Sequence, residues 1–555
     1  MKRLFNYRNL VARGSAGSGS TEGQTLAIYM KRVIFRKTLF IYLFLIGNAV
    51  LIISGCIKHP LQQTPTGEYT TANFWTNQND VIAGVLGIYN VLYTEDWIGH
   101  DLYAYDDQSD DISVDGDHPD FISIGEFNAD PTLQLIYITW PFAYEQIARA
   151  NNAILYIPKV PVMDSSIRAR SMGEAYFLRA YAYLILSEIY GDVPMITEKN
   201  LTSADYNVPK SSVDTIRALV ESDLLQAANL LPETYDAADA GRVPKGAAWG
   251  MLCKLYMYED NFAKAITYGS MVVNDPNYAL ATHFSDNFTL GLQETNTEIL
   301  FAVWNKNQEV ANVPASAIST YFTPRAWQGW GFHHPTQNFA DEFEVTDTAR
   351  KRATLISVGD SLPNQTNLTV IAGTDASQGF AGEAGLSTGR MLPSMSTTGY
   401  CIRKYSAFMP SGDGGIDYDL KQPLLRSSDI YLLVAEAKIR LNGPGSGDAE
   451  LNDVRVRAGL LPVSNAGMPQ LIHERRVELA GENIRWQDLL RWDKDKIIDL
   501  DTIVSKPKTA SPLAPYYGDT IIPARTFTRP KDYYMPIPQE IIDESKGVIT
   551  QNSNY

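Results

Sequence analysis

Three cysteines in a chain of 555 residues cannot staple it. If Cys56 is taken up elsewhere, Cys253 and Cys401 allow one disulfide at most, so stability has to come from a buried core. With 45% hydrophobic and 20% charged residues there is material for such a core, in one large or two to three average domains. Positive charge is also short: 47 Lys and Arg stand against 63 Asp and Glu, a formal net charge of -16. Beyond residues 31–37 there is no basic cluster, which argues against nucleic acid as a partner. Catalytic signatures are missing as well, with no G-x-S-x-G elbow, no Walker P-loop and no G-x-G-x-x-G. "HERRVE" begins like a zinc-protease helix, but Val477 stands where the second ligand to His473 would be. Only His333 and His334 are adjacent among the 7 histidines, and neighbours on a chain rarely point at one metal, so they read as a loop feature. No metal and no cofactor are expected. Two distant carboxylates of a glycosidase remain open, because their spacing leaves no sequence signature.

The one long apolar run near the start, Thr38–Ile53, has 16 residues, fewer than the ~20 of a spanning helix. Lys31, Arg32, Arg36 and Lys37 precede it and the small pair Ser54-Gly55 follows, so residues 30–55 read as a signal peptide. Ile53-Ser54-Gly55-Cys56 resembles a bacterial lipobox, which implies lipidation of Cys56 and cleavage before it. Two or more acyl chains anchor stably, since each buried methylene contributes ~0.8 kcal/mol. Residues 1–29, containing "GSAGSGS", are expected to be an upstream-start extension outside the fold, and residues 56–71 a lipidated tether.

After the tether the pattern is helical. "NDVIAGVLGIYNVLY" places Val81, Val85, Ile88 and Leu92 on one stripe, and helices are expected again over 140–156 and 167–190. The second should end at "YGDVP", where Gly191 can take a positive φ and Pro194 bars continuation. In "GAAWGMLCKLYMYEDNFAKAITYGSMVVND", Ala248, Leu252, Leu255 and Tyr256 form one stripe and Phe262, Ala265, Ile266 and Val272 another, with "EDN" turning the chain. This resembles a tetratricopeptide helix hairpin, in which small residues let helices approach closely. A second hairpin is expected in "DIYLLVAEAKIRLNGPGSGDAELNDVRVRAGL", turning at "NGPGSG". The hairpins do not recur at a fixed period. The expected fold is therefore mainly α, a bundle of such hairpins with a loop-rich insertion carrying short strands at about 276–423. It divides the domain 72–555 into a helical part (about 72–275), the insertion, and C-terminal helices (about 424–555).

Two loops stand out chemically. "WIGHDLYAYDDQSDDISVDGDHPD" mixes aromatics with seven aspartates from Asp106 to Asp120. It lacks the register of a calcium loop, so it reads first as a solvated acidic loop, with ligand contacts or a metal as lesser alternatives. The insertion adds Trp304, Tyr321, Trp327, Trp330 and Phe332. An exposed Trp stacks on a sugar ring while Asp and Asn take its hydroxyls, so Trp97, Tyr103, Trp304, Trp327 and Trp330 are the candidate ligand-binding residues. Core packing is the competing reading for each.

These blocks, in order, resemble the SusD/RagB family of nutrient-binding outer-membrane lipoproteins. "NFWTNQNDVIAGVLGIYN" is similar to its first helix and "RARSMGEAYFLRAYAYLILSEIYGDVP" to its core helix. "LLRSSDIYLLVAEAKIR", "LNDVRVRAGL", "ERRVELAGENIRWQDLLRW" and "YYMPIPQEIIDESKGVITQNSNY" are similar to its C-terminal part. In "ELAGEN" the family usually has an aromatic at Gly481 and a glycine at Asn483, and Asn tolerates the left-handed backbone that the glycine would supply. Taken alone, "ERRVELAGENIRWQDLLRW" reads as structural, with Glu–Arg pairs worth a few tenths of a kcal/mol each and Trp486 and Trp492 packed. The resemblance implies no enzyme activity. It implies an oligosaccharide-capturing lid, lipid-anchored at the outer membrane and facing the exterior, on a SusC-like TonB-dependent transporter. Peptide cargo, a surface glycoside hydrolase and a protein-contact scaffold are the alternatives.

Overall fold

The computed structural model describes residues 74–113, 118–201, 207–305, 318–324, 329–360, 391–406, 420–514 and 520–555. The chain divides into a unit over 1–72 and one over 73–555, and all described residues belong to the second. The signal segment, Cys56, the tether and Trp327 lie outside the described residues. Among the described residues no helix is long and apolar enough to cross a membrane.

The helical frame follows its caps and stripes. Helix α1 (Gln78–Asn90) starts at a capping box, in which the Asn77 side chain accepts from the Asn79 and Asp80 amides and Asp80 reaches back to the Asn77 amide. It buries Val81, Val85 and Ile88, the expected stripe. Helix α2 (Pro119–Gly125) is short, and α3 (Gln134–Tyr156) runs through an internal proline, Pro141. Helix α4 (Ser165–Tyr190), capped by Asp164, is buried nearly all round over its second half. That pattern belongs to the centre of a bundle rather than its surface. Gly191 ends it at φ +74°, and Val193–Pro194 (β2) pairs antiparallel with Lys210–Ser211 (β3).

Helix α5 (Val213–Leu230) packs on α4, and α6 (Lys245–Tyr258) and α7 (Phe262–Val273) form the hairpin read from the sequence. Their close approach depends on Gly269, where a Cβ would lie 2.9 Å from Cys253 Sγ and 2.3 Å from Val434. Val434 belongs to α9 (Ser427–Asn442), which packs on both α6 and α7. Between them lies the short α8 (Ile318–Phe322). The second hairpin joins α9 to α10 (Asp448–Arg457) through Gly443 and Gly445, both at positive φ, and α11 (Met468–Leu479) and α12 (Arg485–Lys494) follow.

Strands are few. Besides the β2–β3 pair, the described residues contain four two-stranded antiparallel ladders: Ile112–Ser113 (β1) with His334–Pro335 (β5), Ile299–Val303 (β4) with Gln422–Arg426 (β8), Leu355–Ser357 (β6) with Tyr400–Ile402 (β7), and Lys508–Thr509 (β9) with Thr520–Ile522 (β10). The β4–β8 ladder presses Phe301 against Phe177 and Tyr181 of α4, so it fastens the loop-rich region to the core. Cys253 and Cys401 are both buried, and no disulfide joins them.

The Glu and Arg residues of "ERRVELAGEN" are not surface pairs, which corrects the small energies expected of them. Glu474, Glu478 and Glu482 recur every four residues and meet a buried set of cations. Arg350 binds Asp347, Glu474 and Glu478, and Arg426 binds Glu298, Glu478 and Glu482. Arg457 binds Glu298 and Glu478, and Lys404 binds Glu482 at 2.6 Å. Burial alone would raise the Glu478 carboxyl, yet Arg457, Arg426 and Arg350 together hold it well below the usual carboxylate range. Removing one member of such a network leaves an unpaired buried charge. Beyond it, Gly481 and Asn483 both take positive φ, at +73° and +57°, so the turn is made as the Asn substitution allows. Ile402 fills the space at Gly481, 3.0 Å from where a Cβ would stand.

Candidate functional site

The described first part of the aspartate-rich loop, to Ser113, is not solvated, contrary to its first reading, while Asp115 and Asp117 lie outside the described residues. Asp101, Asp106, Asp107 and Asp111 are buried. Arg476 binds Asp110 and Asp111, Arg485 binds Asp110, and the Asp106 Oδ1 accepts the Trp486 amide at 2.8 Å. The loop's carbonyls are taken as well: Lys508 donates to those of Asp107 and Ile112, and Arg525 to those of Gln108 and Ser109. C-terminal cations thus turn an acidic stretch into a rigid floor. Burial pushes the Asp106 carboxyl up to about 7, and burial with the Asp110 charge pushes Asp111 upward against Arg476.

Four groups link this floor to the loop after α8. His100 Nδ1 faces Asp101 at 3.0 Å, His333 Nδ1 faces Asp107 at 2.9 Å, and the two Nε2 atoms meet at 2.7 Å. Burial, then His333 and His118, depress His100 well below the usual histidine value. His334 points elsewhere, in the β1–β5 ladder with Nδ1 3.3 Å from Thr397. No group of three or more His, Cys, Asp or Glu among the described residues is arranged to hold a metal.

Above the histidines sits an aromatic stack. The His100 ring lies nearly parallel on Tyr321, and Trp330 meets Tyr321 edge-on with centroids 4.6 Å apart, Phe332 closing the group. The backbone positions it, with the amides of Trp330, Gly331 and Phe332 donating to the carbonyls of Thr320, Thr323 and Tyr321. Gly329 makes the crossing possible, since a Cβ there would lie 2.0 Å from the Thr323 oxygen. Trp330 keeps 43% of its surface exposed, a large apolar area at the loop surface.

The other candidates separate. Trp97 is fully buried, its indole N–H donating to Gln146 at 2.8 Å, so it is a packing residue and the core reading wins there. Tyr103 is 3% exposed, packed edge-on against Phe322 and Tyr405, and lines an internal cavity rather than the surface. Trp304 is half-buried against Gly241, whose missing Cβ leaves room for the ring, and Lys421 Nζ lies 5.1 Å from its centroid. Its carbonyl accepts the Tyr93 hydroxyl at 2.8 Å. Tyr93 touches the Trp304 patch and His100 the Trp330 patch. Seven residues apart, they are at most about 25 Å from each other. Sequence reading missed Tyr93, His100 and Lys421, for which no local pattern points to the site. Trp327 lies outside the described residues.

A helical-hairpin frame carrying a buried acidic floor and a loop-borne aromatic surface defines a protein of mainly α fold. The SusD family model matches residues 297–555, and a second model, described as starch-binding associating with outer membrane, matches 68–257. The chain belongs to the SusD/RagB family. A SusD-like protein (P25) of Formosa agariphila is 25% identical over 536 residues, 88% of this chain and 95% of the relative. A SusD-like carbohydrate binding protein of Bacteroides fragilis shares the fold with TM-score 0.71 at 22% identity, covering 86% of this chain and 99% of that one. Surface glycan-binding protein A of Bacteroides thetaiotaomicron, solved with laminarihexaose, does so with TM-score 0.68 at 22% identity, covering 86% and 100%.

Proposed function

We propose that this protein is a cell-surface glycan-binding lipoprotein. It is anchored in the outer membrane through Cys56, faces the exterior, and captures oligosaccharide for delivery to a SusC-like TonB-dependent transporter. It does no chemistry of its own. The observation that carries the reading is Trp330, held by Tyr321 and Phe332 at a loop surface with much of its indole in solvent. The apolar face of a pyranose matches the exposed face of an indole. Trp304, braced by Gly241 and Lys421, is the second candidate contact. A family relative solved with laminarihexaose supports a glucan among the ligands to try first. Because the floor beneath is fixed by ion pairs and the His100–His333 chain, the platform is preorganised and binding need not order it. The test is isothermal titration with soluble oligosaccharides. Saturable 1:1 binding without release of reducing ends supports the reading, and release of reducing ends would replace it by a glycoside hydrolase.

A further inference from the structure

On the helical face of the molecule lies a cavity of ≈ 340 Å³, walled by the C-terminal part of α4, the start of α5, the end of α6, α12 and Tyr534. A smaller one of ≈ 80 Å³ adjoins it and shares the walls Glu188, Gln487, Leu490 and Tyr534. None of Trp304, Tyr321 and Trp330 lines either, so the pair is separate from the aromatic platform. The larger volume falls in the roughly 300–1,000 Å³ range of small-molecule sites.

Most charges around it are already paired. Arg491 binds Glu436 and Asp488, while Asp260 and Asp495 both bind Arg440. Lys494 sits over the Tyr533 and Tyr534 rings and reaches the Tyr534 hydroxyl at 3.3 Å. Two buried atoms in the wall lack a hydrogen-bond partner, Glu188 Oε1, an acceptor, and Arg217 Nε, a donor, while the Glu188 carboxylate also faces Lys254, Arg217 and Lys494 and takes a hydrogen bond from Tyr258. Arg217 is otherwise tied to the Tyr258 carbonyl at 3.2 Å. Orphaned buried polar atoms are uncommon because each forgoes its hydration, and two of opposite polarity in one cavity suit a ligand carrying both signs. The adjoining chamber is walled by Leu184, Ile185, Ile189, Met251 and Met535, an environment for an aliphatic or aromatic group.

We propose that this double cavity is a binding site for a small zwitterion with an apolar side chain, of the free α-amino acid class. The ammonium pairs with Glu188, the carboxylate with Arg217, and the side chain enters the smaller chamber past Leu490. This site does not depend on glycan binding, and its occupant would signal or stabilise rather than be captured at the platform.

The experiment is isothermal titration of the purified protein with L-leucine, L-phenylalanine and glucose. Saturable binding of one of the two amino acids is expected, weakened at least about tenfold in both Glu188→Gln and Arg217→Gln. Those variants should remain folded at the assay temperature, and their retardation by polysaccharide should stay as in the parent. Trp330→Ala should leave amino-acid binding unchanged. No saturation up to about 10 mM, binding indifferent to both substitutions, or glucose occupying the site in place of the amino acids would each overturn the proposal.

Discussion

Asp106 offers a quantitative test of the buried acidic floor. Its Oδ1 accepts the Trp486 amide, its Oδ2 is buried without a partner, and burial raises its pKa from 3.8 to about 7. A carboxyl whose pKa is raised on folding binds its proton more tightly in the folded state. It therefore costs nothing below about pH 4, costs progressively more as pH rises from about 4 to about 7, and costs its full amount above. About three units correspond to roughly 4 kcal/mol at most, and relaxation makes 2–4 kcal/mol the order of magnitude. Asp106→Asn keeps the oxygen that serves Trp486 and removes the charge. For a folded unit of roughly 480 residues the unfolding entropy near the midpoint is about 1 kcal/mol per degree, so the variant should melt about 2–4 °C higher than the parent at pH 8. At pH 4.5 the difference should shrink to about 1 °C or less. Differential scanning calorimetry at the two pH values reads this directly, and Asp111, also raised by burial, cancels in the comparison. A variant destabilised equally at both would show that the ionised carboxylate is needed and the orphaned oxygen satisfied, refuting the reasoning.

Three further outcomes follow from the same contacts. Glu478→Gln strands Arg350, Arg426 and Arg457 and should cost about 3–5 kcal/mol, lowering the calorimetric midpoint by several degrees, whereas Glu221→Gln at the exposed Lys264 pair should cost under about 1 kcal/mol. Equal effects would contradict the buried-network reading. Trp97→Ala should destabilise by about 3–5 kcal/mol through lost packing, yet leave the glycan affinity of the folded protein within about twofold; a large affinity loss would return Trp97 to the ligand site. Cys56→Ser should move the protein from the membrane pellet to the soluble fraction, and retention in the pellet would remove the lipid anchor from the account.

Local chemistry made the helical frame legible. The α6–α7 hairpin, the Gly191 stop and the left-handed Asn483 each follow from a few neighbouring residues whose period, size or φ preference allows one conformation. What the sequence hid is set by partners hundreds of residues away. The acidic loop looks like a solvated run until Arg476 and Arg485 arrive from positions 365 and 375 residues later. Trp97 looks like a loop aromatic until α3 supplies Gln146. The Glu–Arg pairs of "ERRVELAGEN" were legible as helical ion pairs. Their burial was not, because the arginines that neutralise the glutamates come from three other segments. At the site, Trp330 remains on the surface as its polar surroundings suggested. Tyr103 was drawn inward by Phe322 and Tyr405, which no local pattern reveals.

The most direct test of the central claim is affinity electrophoresis through gels cast with soluble plant, host and microbial polysaccharides, run for the parent, Trp330→Ala and Trp304→Ala. Retardation by at least one glycan, abolished in Trp330→Ala and weakened in Trp304→Ala while both variants melt like the parent, is the predicted result. Retardation that survives unchanged in Trp330→Ala, or no retardation of the parent in any gel, would contradict the account and shift the cargo to peptides or the specificity to the partner barrel.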